Sequence, residues 1–216
     1  MTAKWLTHAT RRRVIFKHVL GLFGILVLPG QLLIQKHAWA GAQIEEPLMD
    51  SVRTALSSAI ANAAPPIPVL RDEAARQRYQ AWLARMSPRL QRHKPDLQTR
   101  QEFLQTVWYE AHRAGLSVSL VLGLIQVESG FRKYAISRAG ARGYMQVMPF
   151  WTRLIGDGDA SRLFHMQTNL RFGCVILRHY LDRENGNLFM ALGRYNGSRG
   201  QAPYPNAVLA AQKRWE

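Results

Sequence analysis

Residues 117–149 decide the fold, and they read SVSLVLGLIQVESGFRKYAISRAGARGYMQVMP. Ser117 is a residue type that caps helix starts, and the apolar run behind it predicts a helix that ends near Ser129. Within that helix Glu128 follows Leu124 by four residues, so its carboxyl lies on the same stripe as the apolar side chains. The alternative is a glutamate at a helix end that reaches water or pairs with a nearby arginine.

Glu128 is the only acidic residue between Ala111 and Gly156. Burial against apolar neighbours raises the pKa of a carboxyl, and a raised pKa keeps a proton available near neutral pH, as a general acid requires. The partial negative charge at a helix C-terminus acts in the same direction. Four nearby cations would lower the pKa if they came close, and the sequence leaves this balance open: Arg132, Lys133, Arg138 and Arg142.

Apolar residues three and four apart recur along most of the chain. They predict helices around residues 48–60, 79–86, 103–111, 170–181 and 188–195. Gly115 is expected to end the third of these helices. Pro88 and Pro95 are expected to bracket a break between the second helix and the third. Alternation with a period of two is nearly absent. The sequence therefore predicts an all-α domain from about residue 71 to the end of the chain.

The N-terminus has the order of an export signal. Arginines at 11–13 precede an unbroken apolar run at residues 19–28, and Ala-Trp-Ala follows at residues 38–40. This order predicts that residues 1–40 are a signal peptide cut after Ala40 and that the protein is exported to the periplasm. An uncleaved membrane anchor is the alternative. Residues 41–70 are interpreted as a helical, Pro-rich linker that serves as a tether.

The composition narrows the classes of partner. The 216 residues carry a formal charge of +15, which indicates an anionic partner. Residues 1–40 hold six cations and no acid, so the rest of the chain carries +9. Cys174 is the only cysteine, which excludes an intramolecular disulfide. No Cys/His cluster has metal-ligand spacing, and we expect neither a metal nor a cofactor.

A run of short motifs then resembles a known family. In chain order these are Glu128-Ser129-Gly130-Phe131, Gly140-Ala141, Gly143-Tyr144-Met145-Gln146, Asn169, Gly173, Ala191-Leu192, Tyr195-Asn196 and Tyr204-Pro205. Their order and spacing resemble the catalytic domain of the soluble lytic transglycosylases (SLT), over about residues 116–208. The resemblance implies a lysozyme-like helical fold with a groove for glycan. The whole all-α region, residues 71–216, is therefore predicted to be the catalytic domain.

The resemblance also assigns roles. Glu128 stands where the family has its catalytic glutamate. Met145 and Gln146 match a pair that lines the glycan cleft, and Tyr195 matches the tyrosine that reaches toward the acid. Three further residues are expected to shape the site: Ser129 orients the region, Ser137 shapes the groove floor, and Asn196 ties its loop in place. The chain departs from the family pattern at Tyr144, where leucine is frequent, and at Gly197-Ser198 after the Tyr-Asn pair.

The family reaction explains how one carboxyl suffices, although ordinary glycosidases need two. The implied partner is the glycan of peptidoglycan, cut without water to give 1,6-anhydromuramoyl ends. We expect a monomer that binds no nucleic acid, with peripheral membrane association as a further expectation. Two alternatives stay open at this point: a goose-type muramidase, which hydrolyses the same bond, and a non-catalytic peptidoglycan-binding protein.

Overall fold

A computed structural model describes residues 43–61 and 66–216. In these ranges the chain forms eight α-helices: α1 (Asp50–Ala61), α2 (Glu73–Leu90), α3 (Leu97–Arg113), α4 (Val118–Glu128), α5 (Phe150–Ile155), α6 (Met166–Arg183), α7 (Leu188–Asn196) and α8 (Pro203–Gln212). Two 3-10 helices, Ala160–Phe164 and Lys213–Trp215, complete the set. The described ranges contain isolated bridges but no β-strand, which confirms the all-α prediction. The predicted signal segment, residues 1–40, lies outside the described residues.

Helix α4 runs through the centre of the core. The Ser117 hydroxyl accepts a hydrogen bond from the Leu120 backbone N–H at 3.2 Å, so the predicted cap is confirmed. Most of its side chains are buried, and α3 and α8 pack against it. A Cβ on Gly123 would lie only 2.6 Å from the Gln212 backbone nitrogen. Glycine at this position therefore allows the backbone of α8 to approach α4 closely.

The break predicted between Pro88 and Pro95 is confirmed at residues 91–96, although α2 continues through Pro88 to Leu90 before the break begins. A proline so close to a helix end removes only one backbone hydrogen bond of the last turns. Met86 and Leu90, on either side of it, are fully buried. Burial of these two side chains outweighs the lost hydrogen bond and keeps the last turn helical.

Helix α8, which holds Pro203 and Pro205, was not among the helices predicted from the sequence. Both prolines lie in the first turn of α8, where backbone N–H groups have no intrahelical partner in any helix. Tyr204 and Val208 are buried, so α8 contributes to the core.

The described part of residues 41–70 packs against the domain. The predicted helix is present as α1, which contacts α5 and α6 and rests Leu56 and Ile60 on the core. The Arg171 guanidinium donates to the Ile60 carbonyl at 3.5 Å, and the Arg113 guanidinium donates to the Ala59 carbonyl. The described residues of this segment are therefore fixed to the domain, in contrast to the expected tether.

Candidate active site

Glu128 is the last residue of α4, and its carboxyl points into the core. It is only 3% exposed, on the stripe that also holds the fully buried Leu124. Its Oε1 atom accepts a hydrogen bond from the Tyr204 hydroxyl. Its Oε2 atom is buried and has no hydrogen-bond partner within the described residues. One carboxyl oxygen is therefore held, and the other is left for a ligand.

Burial raises the pKa of Glu128 from 4.5 to about 8, and the hydrogen bond from Tyr204 acts against this rise. Two of the four cations that left the balance open form hydrogen bonds elsewhere. The Arg132 Nε atom donates to the Ser129 carbonyl at 2.8 Å, and Arg142 donates to the Ala160 carbonyl at 2.8 Å. Desolvation therefore decides the protonation of this carboxyl, which keeps its proton at neutral pH.

Tyr204 is the one side chain that hydrogen-bonds to the acid among the residues the structure describes. Burial, together with the nearby Glu128, raises the pKa of its hydroxyl well above the ordinary value, so it stays a donor. It reaches Glu128 because α8 packs closely on α4 at Gly123. The Tyr204-Pro205 pair belongs to the motif run, yet no role was assigned to it from the sequence.

Tyr195 lies near the acid without bonding to it. Its hydroxyl donates to the Met145 carbonyl at 2.8 Å. Burial raises its pKa well above the ordinary value, and the charge of Glu128 adds to this rise. Tyr195 therefore lies close to the acid, while Tyr204 supplies the hydrogen bond to Glu128.

Ser129 connects the end of α4 to the loop that carries the next motif. Its buried hydroxyl contacts the Tyr144 carbonyl at 2.7 Å and the Ile125 carbonyl at 3.2 Å. Tyr144, the departure from the family pattern, also has a specific partner. The amine of the buried Lys94 donates to its hydroxyl at 2.7 Å. Sequence reasoning missed Lys94, which lies outside the motif run and is held only by tertiary contacts.

The loop between α4 and α5 is fixed from inside by polar side chains. The Gln146 Nε2 atom donates to the carbonyls of Ala135 and Gly143 at 3.1 and 2.9 Å. The Ser137 hydroxyl accepts from the Ala141 N–H at 3.1 Å. The Asn169 side chain accepts from the Met145 N–H at 2.8 Å and donates to the carbonyls of Arg142 and Leu163. These bonds set the shape of the loop beside Glu128.

Two residues expected to line the glycan cleft are buried instead. Met145 is fully buried and packs on Gly173, where a Cβ would lie 2.6 Å from the Met145 Cβ. Gln146 is 1% exposed, and its amide nitrogen is engaged by backbone carbonyls. Their side chains therefore support the wall of the site from behind. Asn196 is buried, and its Oδ1 atom accepts from the Ser198 hydroxyl at 2.9 Å in the turn after α7.

Three other carboxylates form ion pairs with arginine. Glu110 pairs with Arg171 at 2.9 Å in the core, and Glu184 pairs with Arg194 at 2.7 Å. Asp157 is half exposed and pairs with Arg162. In the part of the chain that the structure describes, no second carboxylate contributes to the pKa of Glu128. The site thus contains a single acid.

The fold and this site define a lysozyme-like domain with a buried carboxyl that pairs with no arginine in the described residues, and the comparison of sequences identifies its family. The sequence model described as "Transglycosylase SLT domain" matches residues 106–213, and the chain belongs to this family. Two similar relatives are the membrane-bound lytic murein transglycosylases C of Histophilus somni (strain 2336) and Haemophilus influenzae (strain PittGG). They are 36% and 47% identical to it over 115 residues, which cover 46% of this chain. The match spans 32% of each relative, about a third of its length.

Proposed function

We propose that this protein is a lytic transglycosylase that cleaves the MurNAc-β-1,4-GlcNAc bond of peptidoglycan, with Glu128 as general acid and then general base. The observation that carries the proposal is the buried carboxyl with one oxygen held by Tyr204 and the other unpartnered. Membership in the SLT family and the names of the relatives support the same reaction.

The chemistry follows from a single carboxyl that changes its protonation state. The Oε1 atom accepts from Tyr204, so the proton of the neutral acid resides on Oε2. Glu128 gives this proton to the glycosidic oxygen as the bond from the anomeric carbon breaks. The carboxylate then takes the proton of the muramoyl C6 hydroxyl, whose oxygen attacks the anomeric carbon. The product is a 1,6-anhydro ring, and Glu128 ends protonated as it began.

Intramolecular attack removes the need for a second carboxylate, because the substrate holds its own nucleophile in place. A hydrolase of the goose-lysozyme type would need a water molecule held by another acid. The pairing of Glu110, Glu184 and Asp157 with arginines supports the non-hydrolytic reaction.

The substrate and the location form part of the same proposal. The charge of +9 on residues 41–216 suits a polymer that carries the carboxylates of stem peptides and lactyl groups. We place the enzyme in the periplasm as a monomer, exported by residues 1–40 and cut after Ala40 or held as an anchor, with peripheral membrane association. Among the residues that the structure describes, no helix combines the length and the hydropathy needed to span a bilayer.

The test is digestion of purified peptidoglycan with the wild-type protein and with Glu128→Gln, followed by mass spectrometry of the released fragments. The proposal expects anhydro ends with the wild-type protein and none with the variant. A matched control is Glu102→Gln, which changes an exposed glutamate of α3 and should leave the products unchanged. Reducing ends would identify a hydrolase, and binding without release by the wild-type protein would identify a non-catalytic binder.

A further inference from the structure

The first described residues run without helix from Gln43 to Met49 and carry a buried amide; we call this segment the strap. Gln43 is only 5% exposed. Its Oε1 atom accepts a hydrogen bond from the Trp151 indole N–H at 2.9 Å and one from the Met148 backbone N–H at 3.5 Å. The Gln43 side chain is therefore buried and held through its carbonyl oxygen by two N–H donors, in the way that a bound ligand would be held.

Gln43 also lies beside Tyr195, a neighbour of the catalytic acid. Burial and the charge of Glu128 raise the pKa of the Tyr195 hydroxyl, and the Gln43 side chain acts against this rise. Tyr195 is thus a common neighbour of Gln43 and Glu128. The Gln43 Nε2 atom is buried and has no hydrogen-bond partner in the described ranges. The strap therefore leaves one polar atom unsatisfied beside Tyr195.

A second anchor holds the strap three residues further on. The Glu46 carboxylate forms ion pairs with Arg194 at 3.0 Å and with Arg183, and it is partly buried. Glu45 also forms an ion pair, with Arg153 at 3.4 Å, but both of these side chains are more than half exposed. Exposed pairs of this kind contribute little to stability, so Gln43 and Glu46 are the anchors that hold the strap.

We propose that the strap is an autoinhibitory element whose Gln43 amide occupies the position of the acetamido group of an N-acetylated amino sugar, and that it leaves when glycan binds. The inference rests on the proposed function for its substrate class. A primary amide and an acetamido group share a planar carbonyl acceptor and an N–H donor. The Trp151 and Met148 N–H groups are placed to bind the carbonyl oxygen of either one.

The strap then acts as a competitor attached to the enzyme. A ligand that binds only the open form has its apparent affinity reduced by the fraction of molecules that are open. Gln43→Ala removes the acceptor of two hydrogen bonds, and it should raise the apparent affinity for glycan about 3- to 10-fold. Glu46→Gln weakens the second anchor and should act in the same direction.

The test measures binding without turnover. In the full chain carrying Glu128→Gln, the dissociation constant of an N-acetylglucosamine pentamer is measured by calorimetry with and without Gln43→Ala or Glu46→Gln. Glu45→Gln is the matched control in the same segment, and its binding should equal that of the parent. Circular dichroism verifies that each variant is folded. Equal or weaker binding by both anchor variants overturns the proposal and makes the strap a plain structural element.

Two further measurements separate the parts of the proposal. Hydrogen exchange of the amides of residues 44–49 should become faster when the pentamer binds, and unchanged or slower exchange would overturn displacement of the strap. Trp151→Phe removes a donor from strap and sugar alike, so it should weaken pentamer binding in the Gln43→Ala background. Unchanged binding in this background would overturn the proposal that Gln43 occupies the position of the acetamido group. None of these readouts depends on anhydro products, so they succeed or fail independently of the transglycosylase reaction.

Discussion

Replacing Glu128 by glutamine should stabilise the protein, and increasingly so as the pH rises. Glu128 has its pKa raised from 4.5 to about 8 by burial, so the native state keeps a proton that the unfolded chain loses. Below pH 4.5 both states are protonated and the carboxyl has no effect. Between pH 4.5 and 8 the stability of the wild-type protein falls by about 1.4 kcal/mol per pH unit. The total at pH 7 is about 3 kcal/mol, which Glu128→Gln avoids.

The assay is thermal unfolding of the wild-type protein and of Glu128→Gln at pH 4 and at pH 7. For a chain of this size the difference in Tm between the two proteins should grow by about 10 °C across this interval. A pH-independent change in hydrogen bonding at the new amide cancels from this comparison. Glu102→Gln, at an exposed position of α3, should show no such growth. A Tm difference that stays constant with pH would refute the raised pKa of Glu128.

Other consequences can be measured separately. Release of anhydro products should fall as the pH rises through about 8, since Glu128 loses its proton there; activity that persists well above this pH would contradict the assignment. Tyr204→Phe removes the hydroxyl that holds the Glu128 carboxyl, so kcat should drop about 10-fold or more. In the wild-type protein this hydrogen bond also lowers the pKa of Glu128, so the alkaline limit of the pH profile should move upward in the variant. A downward shift would contradict the assigned role of Tyr204. Gly123→Ala places a methyl group against the Gln212 backbone and should destabilise the protein by about 1–3 kcal/mol in urea unfolding, with loss of activity; wild-type stability would show that α8 can move aside. Glu110→Ala removes the charge partner of the buried Arg171 and should destabilise by about 3–5 kcal/mol in the same assay; a loss below about 1 kcal/mol would show that the pair is dispensable.

The sequence predicted those features that depend on neighbours along the chain. The cap at Ser117 and the buried stripe that includes Glu128 lie within a single helix, where spacing alone fixes which side chains share a face. The helix around Leu56 was predicted on the same basis. Local spacing does not report what lies opposite a face, so the packing of α1 on the domain was missed.

The contacts that complete the site were beyond local patterns. Tyr204 meets Glu128 across 76 residues, and the meeting depends on how closely α8 approaches α4. The motif run placed Tyr195 toward the acid, but spacing cannot distinguish a hydroxyl that bonds to Glu128 from one that bonds to the Met145 carbonyl. Pro88 marked the end of α2 only to within two residues, since the buried Leu90 lies in a last turn that stays helical.

The close approach of α8 to α4 at Gly123 also makes the chemistry of Glu128 depend on folding. Glu128 belongs to the middle of the chain, while the tyrosine that holds its carboxyl arrives on the last α-helix described. Until that helix docks, the carboxyl is solvated and carries an ordinary negative charge, which cannot donate a proton at neutral pH. Proton donation therefore depends on the docking of α8, and a molecule in which α8 is undocked holds Glu128 as an ionised carboxylate at neutral pH.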